Sequence, residues 1–389
     1  MKVLIVSESY PPKISGVAVF TQELIQFLVF KNQKAVLFTN SPSASLKKEK
    51  NSNLTVYYFP SIPNPFRRGF RVSLPQKKKI EEILAQERPD IVHCQDPSLL
   101  TKVTLEAANR LNIPSLITHH FTFALVESYL PDFLKKFARR RLVKYLSRLY
   151  QKANLITCPS QYVKQQLSVL GLSREIKVVS NGVNLKRFFA DKARRSKHPL
   201  VLYVGRLDPE KEVEVVLKAA QEVLRVKNIA TKNIEFYFVG KGTELEKFCQ
   251  EVKKKKLGER IHFFSALQPN SQQLIRIYQK AWVFWTASRS ESQGIVVLEA
   301  LASGLPVIAP NAGGIPEMIR NNFNGCLVKA NTPIEFKEKL LSLLNSPARY
   351  QKIAGQTLAT AKKYELVGQL SKFLTIYKQL RGSAKLRLF

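Results

Sequence analysis

Short apolar runs alternate along the chain with longer stretches in which apolar residues recur every three or four positions. The first run, residues 2–7, precedes a turn at 10–16 and a segment with helical spacing at 17–30. Continuous apolar runs are typical of strands buried in a parallel sheet, and a strand, a turn and a helix in succession form a βα unit. The pattern therefore predicts an α/β protein built on doubly wound parallel sheets.

The same alternation continues to about residue 330 with a single interruption. Further strands are predicted at 35–39, 54–59, 90–94, 115–118, 155–158 and 177–179, and then at 200–204, 234–239, 261–264, 283–286, 306–309 and 325–328. Between the two series lies a charged stretch, residues 186–198. We interpret this stretch as a linker between two α/β domains.

Composition limits where such a protein works. Hydrophobic residues make up 45% of the 389 residues and charged residues 23%, which is a globular composition. No apolar run approaches the ~18 residues of a spanning helix, and the apolar stretch before Ser7 is too short for a secretory signal. We therefore expect a cytosolic protein. Its four cysteines form no CxxC pair, which favours reduced core thiols over disulfides or zinc.

The charge balance is unusual. Lys and Arg number 62 against 29 Asp and Glu, so the formal net charge is +33. An excess of this size attracts a polyanion, and nucleic acid, anionic lipid headgroups and phosphorylated metabolites all qualify. An ordinary solvated basic surface is the alternative, and charge alone does not choose among them.

Ligands of open α/β sheets bind beyond the carboxyl ends of the strands, and the first two candidate loops there carry weak signals. Gly16, before a predicted helix, would let the backbone approach an anion closely, although a plain tight turn is equally compatible. Thr118, His119 and His120 follow another strand. Adjacent histidines on a strand point to opposite faces, so one metal ion would not bind both.

The third loop, residues 205–211, places Arg206 at a strand end and Lys211 at a helix start. A forked guanidinium and a compact ammonium in these positions suit a phosphate. The alternative is that both cations neutralise nearby carboxylates, namely Glu210, Glu212 and Glu214. The spacing does not separate the two interpretations.

The fourth loop, residues 288–300, contains Glu291 and Glu299 with seven residues between them. We expect Ser290 or Ser292 to cap a helix in which Glu299 lies among apolar residues. A carboxylate there must meet a partner or a ligand, because its burial alone is costly, and the helix start favours an anion. The alternative is a capping role for Glu291 and a buried ion pair for Glu299.

Taken in order, these segments resemble the GT-B glycosyltransferases of family 4. The most specific is ESQGIVVLEALASGLPVIAPNAGGIPEMI at 291–319, which is similar to the family's E-x7-E segment and the stretch after it. VGRLDPEK at 204–211, VVSNGVNLKRF at 178–188 and PPKISGV at 11–17 match further family patterns.

The resemblance implies two Rossmann-like domains that face each other across a cleft. Residues 1–185 would bind the acceptor, residues 186–198 would be the linker, and residues 199–365 would bind a nucleotide-sugar. Residues 366–389 would form a helix that crosses back to the first domain.

The resemblance also implies a role for each matching residue. Glu299 would hold the ribose hydroxyls, and Arg206 and Lys211 would bind the diphosphate and stabilise it as a leaving group. Gly16 would bring a backbone N–H to the phosphates. Glu291 would face the donor sugar together with the backbone of Gln293, Gly294, Ile295 and Val296.

His120 would contact the donor sugar and help to shape the acceptor side, which leaves His119 without a site role. The implied catalytic residues are thus His120, Glu291, Arg206 and Lys211. The family retains the anomeric configuration without a metal, since cations and a helix end take its place. We therefore expect no cofactor and no metal site, and the chain has no D-x-D at a plausible strand end.

Three motif details narrow the expected substrates. Glu-Ser-Gln-Gly at 291–294 is similar to the ETQG form of bacterial diacylglycerol glucosyltransferases, and Ser-Gly-Val at 15–17 is similar to their NGV. Residues 66–75 resemble their short arginine-containing segment. The resemblance implies transfer of glucose from UDP-glucose to a lipid such as diacylglycerol, by an enzyme bound peripherally to the inner face of the cell membrane.

Residues 132–152 support a membrane acceptor independently, because apolar residues at helical spacing are interleaved there with cations. A basic amphipathic helix is typical of a membrane-surface element. The cations that would contact anionic lipid are Lys135, Lys136, Arg139, Arg140, Arg141, Lys144 and Arg148. The alternative is a core helix whose apolar stripe packs on the first domain, and the charge of that domain favours the membrane.

Other functions remain open at this stage. One is mannosyl or galactosyl transfer to phosphatidylinositol, to a polyprenyl-linked sugar or to a surface polysaccharide. Another is nucleic-acid binding, which the charge alone suggests, but the cations are not interleaved with aromatics in a nucleic-acid-binding pattern, so no nucleic-acid partner is expected. A third is a catalytically silent scaffold. The four charged residues expected at the site argue against it, namely Arg206, Lys211, Glu291 and Glu299.

Overall fold

The computed structural model of the chain describes residues 1–64, 70–123, 131–189, 195–226, 231–265 and 267–386. The chain divides into two units. Unit 1 comprises Met1–Ser180 and Gln369–Phe389, and unit 2 comprises Asn181–Gly368.

Unit 1 alternates strands and helices, as the apolar runs predict. Its strands are β1 (Lys2–Val6), β2 (Lys34–Ser41), β3 (Lys47–Asn51), β4 (Leu54–Pro63), β5 (Arg71–Ser73), β6 (Ile91–Cys94), β7 (Ser115–Thr118), β8 (Leu155–Cys158) and β9 (Ile176–Val178). Its helices include α1 (Gly16–Phe30), α2 (Lys77–Glu87), α3 (Leu99–Arg110), α4 (Asp132–Tyr150) and α5 (Gln161–Leu167).

These strands form one sheet in the order β3-β4-β2-β1-β6-β7-β8-β9, and β5 pairs with β4. β3 and β5 run antiparallel to β4, whereas the other pairs are parallel. Because β1 lies between β2 and β6, the strand order reverses there. The loops after β1 and β6 therefore lie where an open α/β sheet binds its ligands.

Unit 2 repeats this architecture. Its strands are β10 (Leu200–Val204), β11 (Glu235–Val239), β12 (Ile261–Phe264), β13 (Val283–Trp285), β14 (Val307–Pro310) and β15 (Gly325–Val328). The helices that follow α5 along the chain are α6 (Leu185–Phe188), α7 (Val213–Leu224), α8 (Leu245–Lys254), α9 (Gln272–Lys280), α10 (Ile295–Ala302), α11 (Pro333–Leu344), α12 (Pro347–Lys362) and α13 (Leu366–Leu386).

The second sheet is parallel throughout, in the order β12-β11-β10-β13-β14-β15. Apolar side chains are buried on both of its faces, with Phe236 and Trp285 stacked at 5.2 Å on one and Phe284 near Tyr278 on the other. Burial on both faces explains why these strands are continuous apolar runs. The order reverses between β10 and β13, which places the loops after these two strands at the ligand-binding edge.

The described part of residues 186–198 is packed into unit 2, which differs from the predicted linker. Phe188 lies in α6 and packs edge-on against Tyr278, with ring centroids 5.4 Å apart. Arg195 donates hydrogen bonds to the carbonyls of Gln279 and Ala281 at 3.2 and 2.6 Å. The high charge of this stretch suggested solvent exposure, but Phe188 and Arg195 anchor it to unit 2. Residues 190–194 lie outside the described ranges.

Helix α13 begins in unit 2, and from Gln369 onward it belongs to unit 1. Phe373 packs on Phe20 and His93, at centroid distances of 5.7 and 5.2 Å. The Tyr377 hydroxyl lies 2.7 Å from His93 Nδ1. These contacts bring the end of the described chain against the first strands of unit 1.

The structure bears on two further expectations, which concern membrane-spanning helices and the cysteines. Among the described residues, no helix combines the length and the apolar character that crossing a membrane requires. The cysteines carry free thiols, but only Cys94, Cys158 and Cys326 are buried, whereas Cys249 is exposed on α8. The expectation of four core thiols is therefore wrong for Cys249, which lies on the polar face of an amphipathic helix.

Candidate active site

Arg206 and Lys211 lie at the carboxyl end of β10, and carboxylates pair with both cations. Arg206 is bound by Asp208 and Glu210, and Lys211 Nζ lies 2.5 Å from Glu291 Oε1. The interpretation that these cations neutralise nearby carboxylates is thus correct for Arg206 and Glu210. It does not hold for Glu212 and Glu214, which pair with Arg289 and with Lys218 and Lys247.

Close backbone packing holds the Arg206 loop in place. Leu207 N–H donates to the Lys241 carbonyl at 2.8 Å, and a Cβ on Gly242 would overlap the Leu207 backbone. The Tyr203 hydroxyl donates to the Arg206 carbonyl at 2.8 Å. The loops after β10 and β11 are therefore packed directly against each other, which fixes the backbone that presents Arg206.

Glu291 lies in the loop after β13, where it contacts Lys211. Burial alone would raise the pKa of Glu291, but the Lys211 ammonium and the more distant Arg206 guanidinium hold it below its ordinary value. Glu291 is therefore an ionised carboxylate at neutral pH. Together with the two cations it makes a site of mixed charge rather than a purely positive one.

Two glycines allow the Glu291 loop to pack tightly. A Cβ on Gly313 would lie 2.6 Å from the Glu291 carbonyl, and one on Gly314 would overlap the Ser292 carbonyl. Gly314 N–H donates to that Glu291 carbonyl at 2.9 Å. The small-residue stretch after the E-x7-E segment thus has a physical purpose, which is to support the Glu291 loop.

Helix α10 begins at Ile295, and its start differs from the predicted one. Its N-cap is Gly294, with a φ of 90° and no side chain to accept a hydrogen bond, so neither Ser290 nor Ser292 occupies the expected N-cap position. The first N–H groups of a helix have no acceptor within the helix. Without a capping side chain, the N–H groups of Ile295 and Val296 are suited to an anion.

The Gln293 side chain is turned toward the backbone of its own unit. It is buried, and its Oε1 accepts a hydrogen bond from Asn181 N–H at 2.9 Å. This contact fixes the turn at 180–182 against the loop. The side-chain oxygen is thereby engaged, which leaves the backbone of Gln293 as the part that could meet a donor sugar.

Glu299 is buried one turn into α10, and Tyr278 donates to it. The Tyr278 hydroxyl lies 2.7 Å from Glu299 Oε2, and burial followed by the Glu299 charge raises the pKa of Tyr278 well above its ordinary value. Tyr278 is a positioning residue that the sequence interpretation missed. No pattern in the sequence showed that its hydroxyl meets Glu299.

Unit 1 carries the remaining predicted residues at the carboxyl edge of its own sheet. His120 follows β7, packs at a tilt against Phe20 with ring centroids 5.0 Å apart, and places its Nε2 2.8 Å from Gln95 Oε1. Burial and the neighbouring His119 lower the pKa of His120 to about 3, so the ring is neutral at pH 7. His120 can donate or accept a hydrogen bond but cannot act as a cation.

His119 and Gly16 occupy simpler positions. His119 is buried, with its Nδ1 2.6 Å from the Tyr150 hydroxyl and its ring against Phe121. Gly16 is exposed as the first residue of α1, where the Ser15 hydroxyl caps the helix by accepting from Ala18 N–H at 3.1 Å.

The basic segment forms α4, and its two halves differ. In the second half Leu146, Leu149 and Tyr150 are buried in the unit 1 core, as the core-helix alternative predicts. In the first half Phe133 and Phe137 are 80% and 56% exposed. Lys135 is half-buried, and six cations of α4 are exposed: Lys136, Arg139, Arg140, Arg141, Lys144 and Arg148. Each interpretation thus fits one half of the helix.

Two expectations stay predictions. In the ranges that the structure describes, no three His, Cys, Asp or Glu side chains group closely enough to hold a metal ion, but metal-independent catalysis itself is not tested. Residues 66–69 of the arginine-containing segment lie outside the described ranges.

Solved structures share this fold. Sucrose-phosphate synthase from Thermosynechococcus elongatus superimposes with a TM-score of 0.79 at 18% identity, covering 98% of this chain and 99% of that one. Anabaena HepE in complex with UDP-glucose gives 0.75 at 16% identity, covering 97% and 100%. Fold and site together define a glycosyltransferase with the GT-B fold.

Family models agree along the sequence. The model for glycosyl transferases group 1 matches residues 186–358, and the model for glycosyltransferase family 4 matches residues 14–187. The chain belongs to family 4 of the glycosyltransferases and is a hexosyltransferase.

Curated relatives differ in the substrates that their names give. Sulfoquinovosyl transferase SQD2 of Arabidopsis thaliana is 29% identical over 68% of this chain and 51% of that protein. The alpha-monoglucosyldiacylglycerol synthase of Streptococcus pneumoniae is 27% identical over 84% and 75%. A GDP-mannose-dependent alpha-mannosyltransferase of Mycobacterium tuberculosis is 26% identical over 98% and 97%.

Proposed function

We propose that this enzyme transfers glucose from UDP-glucose, with retention of configuration, to a hydroxyl of a membrane lipid, diacylglycerol being the first candidate. The observation that carries the donor half is that Arg206, Lys211 and Glu291 lie on the segments that follow β10 and β13, with Glu299 in the helix α10 that comes next. This is the edge of unit 2 where an open α/β sheet binds a nucleotide.

The two cations would exchange partners when the donor binds. A diphosphate carries more charge than one carboxylate, and the five N–H donors of Arg206 can bind a phosphate while one carboxylate contact is kept. Lys211 would turn from Glu291 toward the phosphates, and the uncapped start of α10 would supply further N–H donors. The leaving diphosphate is then stabilised by charges that are already in place.

Each of the other unit 2 residues has a matching task in this proposal. Glu299, held by Tyr278, would accept hydrogen bonds from the ribose hydroxyls. Glu291 would face the donor sugar once Lys211 leaves it. In unit 1, His120 would contact the transferred sugar as a neutral hydrogen-bonding group, and Gly16 would offer its N–H to the phosphates.

The lipid half of the proposal rests on the exposed half of α4. Phe133 and Phe137 would insert their rings at the membrane interface while the neighbouring cations contact anionic headgroups. Each cation near an anionic surface contributes about 1 kcal/mol. The monoglucosyldiacylglycerol synthase among the relatives agrees with a lipid acceptor.

The test is transfer of radiolabelled glucose from UDP-glucose to diacylglycerol in mixed micelles, with and without anionic lipid. We expect transfer that rises with anionic lipid and that Glu299→Ala and Arg206→Ala abolish. Absence of transfer from UDP-glucose, together with turnover of another nucleotide-sugar, would contradict the donor and acceptor proposed here.

A charge-matched pair of variants tests the membrane contact. Replacing Lys136, Arg140 and Lys144 by Gln removes about 3 kcal/mol of surface attraction, so vesicle binding should fall about 100-fold. The control replaces three exposed lysines of unit 2, Lys253, Lys254 and Lys256, by Gln and should leave binding unchanged. Equal losses in both variants would show that net charge, not α4, attracts the membrane.

One observation favours a second candidate, a mannosyl transfer. The GDP-mannose-dependent relative matches this chain over nearly its full length. A donor panel of UDP-glucose, UDP-galactose and GDP-mannose in the same assay decides between the candidates, because the true donor should give the highest kcat/KM.

A further inference from the structure

Two polar atoms at the carboxyl end of β6 are buried without a partner. Gln95 is 1% exposed, and its Nε2 has no hydrogen-bond acceptor. Oδ1 of the next residue, Asp96, is shielded from solvent and has no donor in hydrogen-bond geometry, although the nearby Ser98 opposes the rise that burial causes in the pKa of this carboxyl. A buried polar atom left without a partner destabilises the folded state. Such a cost at a ligand-binding edge calls for an explanation.

The other ends of both side chains are firmly held. Gln95 Oε1 accepts from His120 Nε2 at 2.8 Å, which fixes the amide beside the histidine. Asp96 Oδ2 accepts from the backbone N–H of Glu8 at 2.7 Å. The orphaned atoms therefore belong to side chains that cannot simply rotate toward water.

The two unpartnered atoms, Gln95 Nε2 and Asp96 Oδ1, are chemically complementary to a hydroxyl. The Gln95 amide offers an N–H, and the Asp96 carboxylate offers an acceptor, so one hydroxyl or two neighbouring hydroxyls could satisfy both. The charged groups here are two carboxyls, Asp96 and Glu8, and one ammonium, that of Lys13, so a neutral group suits the place better than an anionic one. Burial, and after it the Asp96 charge, raise the pKa of Glu8 to about 7, although the Ser73 hydrogen bonds and the Lys13 ammonium lower it.

We propose that Gln95 and Asp96 form the hydroxyl-binding subsite for the acceptor in unit 1 and select a neutral, hydroxyl-bearing group. The inference rests on the proposed function, in which unit 1 binds the acceptor, and it adds the residues and the charge class of the group bound. In the same arrangement Gln95 fixes the His120 tautomer, with the proton on Nε2 and the lone pair on Nδ1.

Three variants test the subsite in the full-length enzyme. Asp96→Asn keeps the shape but removes the charge, and Gln95→Leu removes the amide. Asp90→Asn is the matched control, because Asp90 precedes β6 at the opposite edge of the sheet, where it accepts from Lys2 N–H at 2.7 Å.

We expect Asp96→Asn and Gln95→Leu to raise the KM for diacylglycerol at least tenfold, with the Kd for UDP within twofold of the wild type and the control unchanged. Asp96→Asn should not lower the midpoint of urea unfolding, since an amide oxygen can still accept from Glu8 N–H and the charge that faces Glu8 is removed. A purely structural role would instead lower that midpoint and affect both substrates. Acceptor KM values within twofold of the wild type in both variants would overturn the inference.

A binding measurement separates this inference from the proposed function. The side-chain amide signal of Gln95, assigned by its loss in Gln95→Leu, is followed by NMR while glycerol is added as the probe. A shift that saturates in the wild type and is lost in Asp96→Asn supports the subsite, even if diacylglycerol proves not to be the acceptor. No shift with glycerol, in an enzyme that glucosylates diacylglycerol, would overturn the subsite and leave the proposed function standing.

Discussion

Replacing Tyr278 by Phe tests whether Glu299 holds the nucleotide. The substitution removes one hydroxyl from a buried ring and leaves its packing intact. The lost contact is a 2.7 Å hydrogen bond to a carboxylate that is 7% exposed. Hydrogen bonds to charged groups contribute about 1.5–3 kcal/mol, so the free energy of unfolding should fall by about 2 kcal/mol.

The same change should weaken nucleotide binding, because Glu299 would no longer be held in the orientation that meets the ribose. A loss of about 1.4 kcal/mol corresponds to a tenfold higher Kd for UDP. We expect kcat to change less than threefold, since Tyr278 contacts Glu299 and not the reacting bond. Isothermal titration with UDP and urea unfolding measure the two effects separately.

Tyr350→Phe is the matched control for this experiment. Its hydroxyl donates to the Trp282 carbonyl at 2.9 Å, so the variant also loses a hydrogen bond from a largely buried tyrosine of unit 2. It should lose about 1 kcal/mol of stability without changing the Kd for UDP. If Tyr278→Phe leaves that Kd unchanged, or if both variants raise it equally, then Glu299 does not bind the ribose.

The remaining predictions concern charge. Lys211→Met should lower kcat/KM about 100-fold. It should also move the acid limb of the pH–rate profile to higher pH, because Lys211 holds down the pKa of Glu291. If the acid limb does not move, Lys211 does not set the pKa of Glu291. His120→Asn should keep more activity than His120→Phe. Rates measured from pH 5 to 8 should show no titration step from His120, because its pKa is about 3. A titration step in this range that disappears when His120 is replaced would contradict this prediction. The pKa of Glu8 is raised from 4.5 to about 7, so the native state keeps a proton that the unfolded state releases between these values. Glu8 should therefore contribute a fall of up to about 3 kcal/mol in the free energy of unfolding as pH rises from about 4.5 to 7, against the opposite slope of the buried histidines His119 and His120, whose pKa values are lowered. Urea titrations measure this contribution as the difference between the wild type and Glu8→Gln, and a difference that does not change with pH would show that Glu8 does not carry it.

The sequence predicted most of the buried strands because burial on both faces produces continuous apolar runs. It missed β3, whose residues Lys47–Asn51 are exposed throughout. An edge strand that packs on nothing needs no apolar side chain, and its charges also discourage pairing with another chain. Only its backbone pairing with β4 makes it a strand, and that pairing leaves no trace in composition.

The charged residues of the unit 2 site were found by position, but their partners were not. Arg206 and Glu210 are four residues apart, yet the sequence could not show that the Glu210 side chain is buried. The start of α10 was wrong for a similar reason. Ser290 and Ser292 are good capping residues by type, but the tight packing of Gly313 and Gly314 on the Glu291 loop sets where the helix begins.

Gln95 and Asp96 were missed because nothing distinguishes them locally from an ordinary loop. Their significance lies in atoms without partners, which appear only when the surrounding backbone is in place. The separate behaviour of the two halves of α4 is equally a tertiary property, since both halves contain apolar and basic residues.

The assembly of unit 1 from both parts of the chain bears on how the enzyme is made. During synthesis, the sheet of unit 1 emerges from the ribosome long before Phe373 and Tyr377, which cover Phe20 and His93. All of unit 2 is translated in between, so this apolar surface stays uncovered for the time needed to add some 190 residues, about 10–40 s at typical bacterial rates. A nascent chain in this state would be a natural client for a chaperone, and slowing translation of the codons for residues 369–386 should lower the yield of folded enzyme.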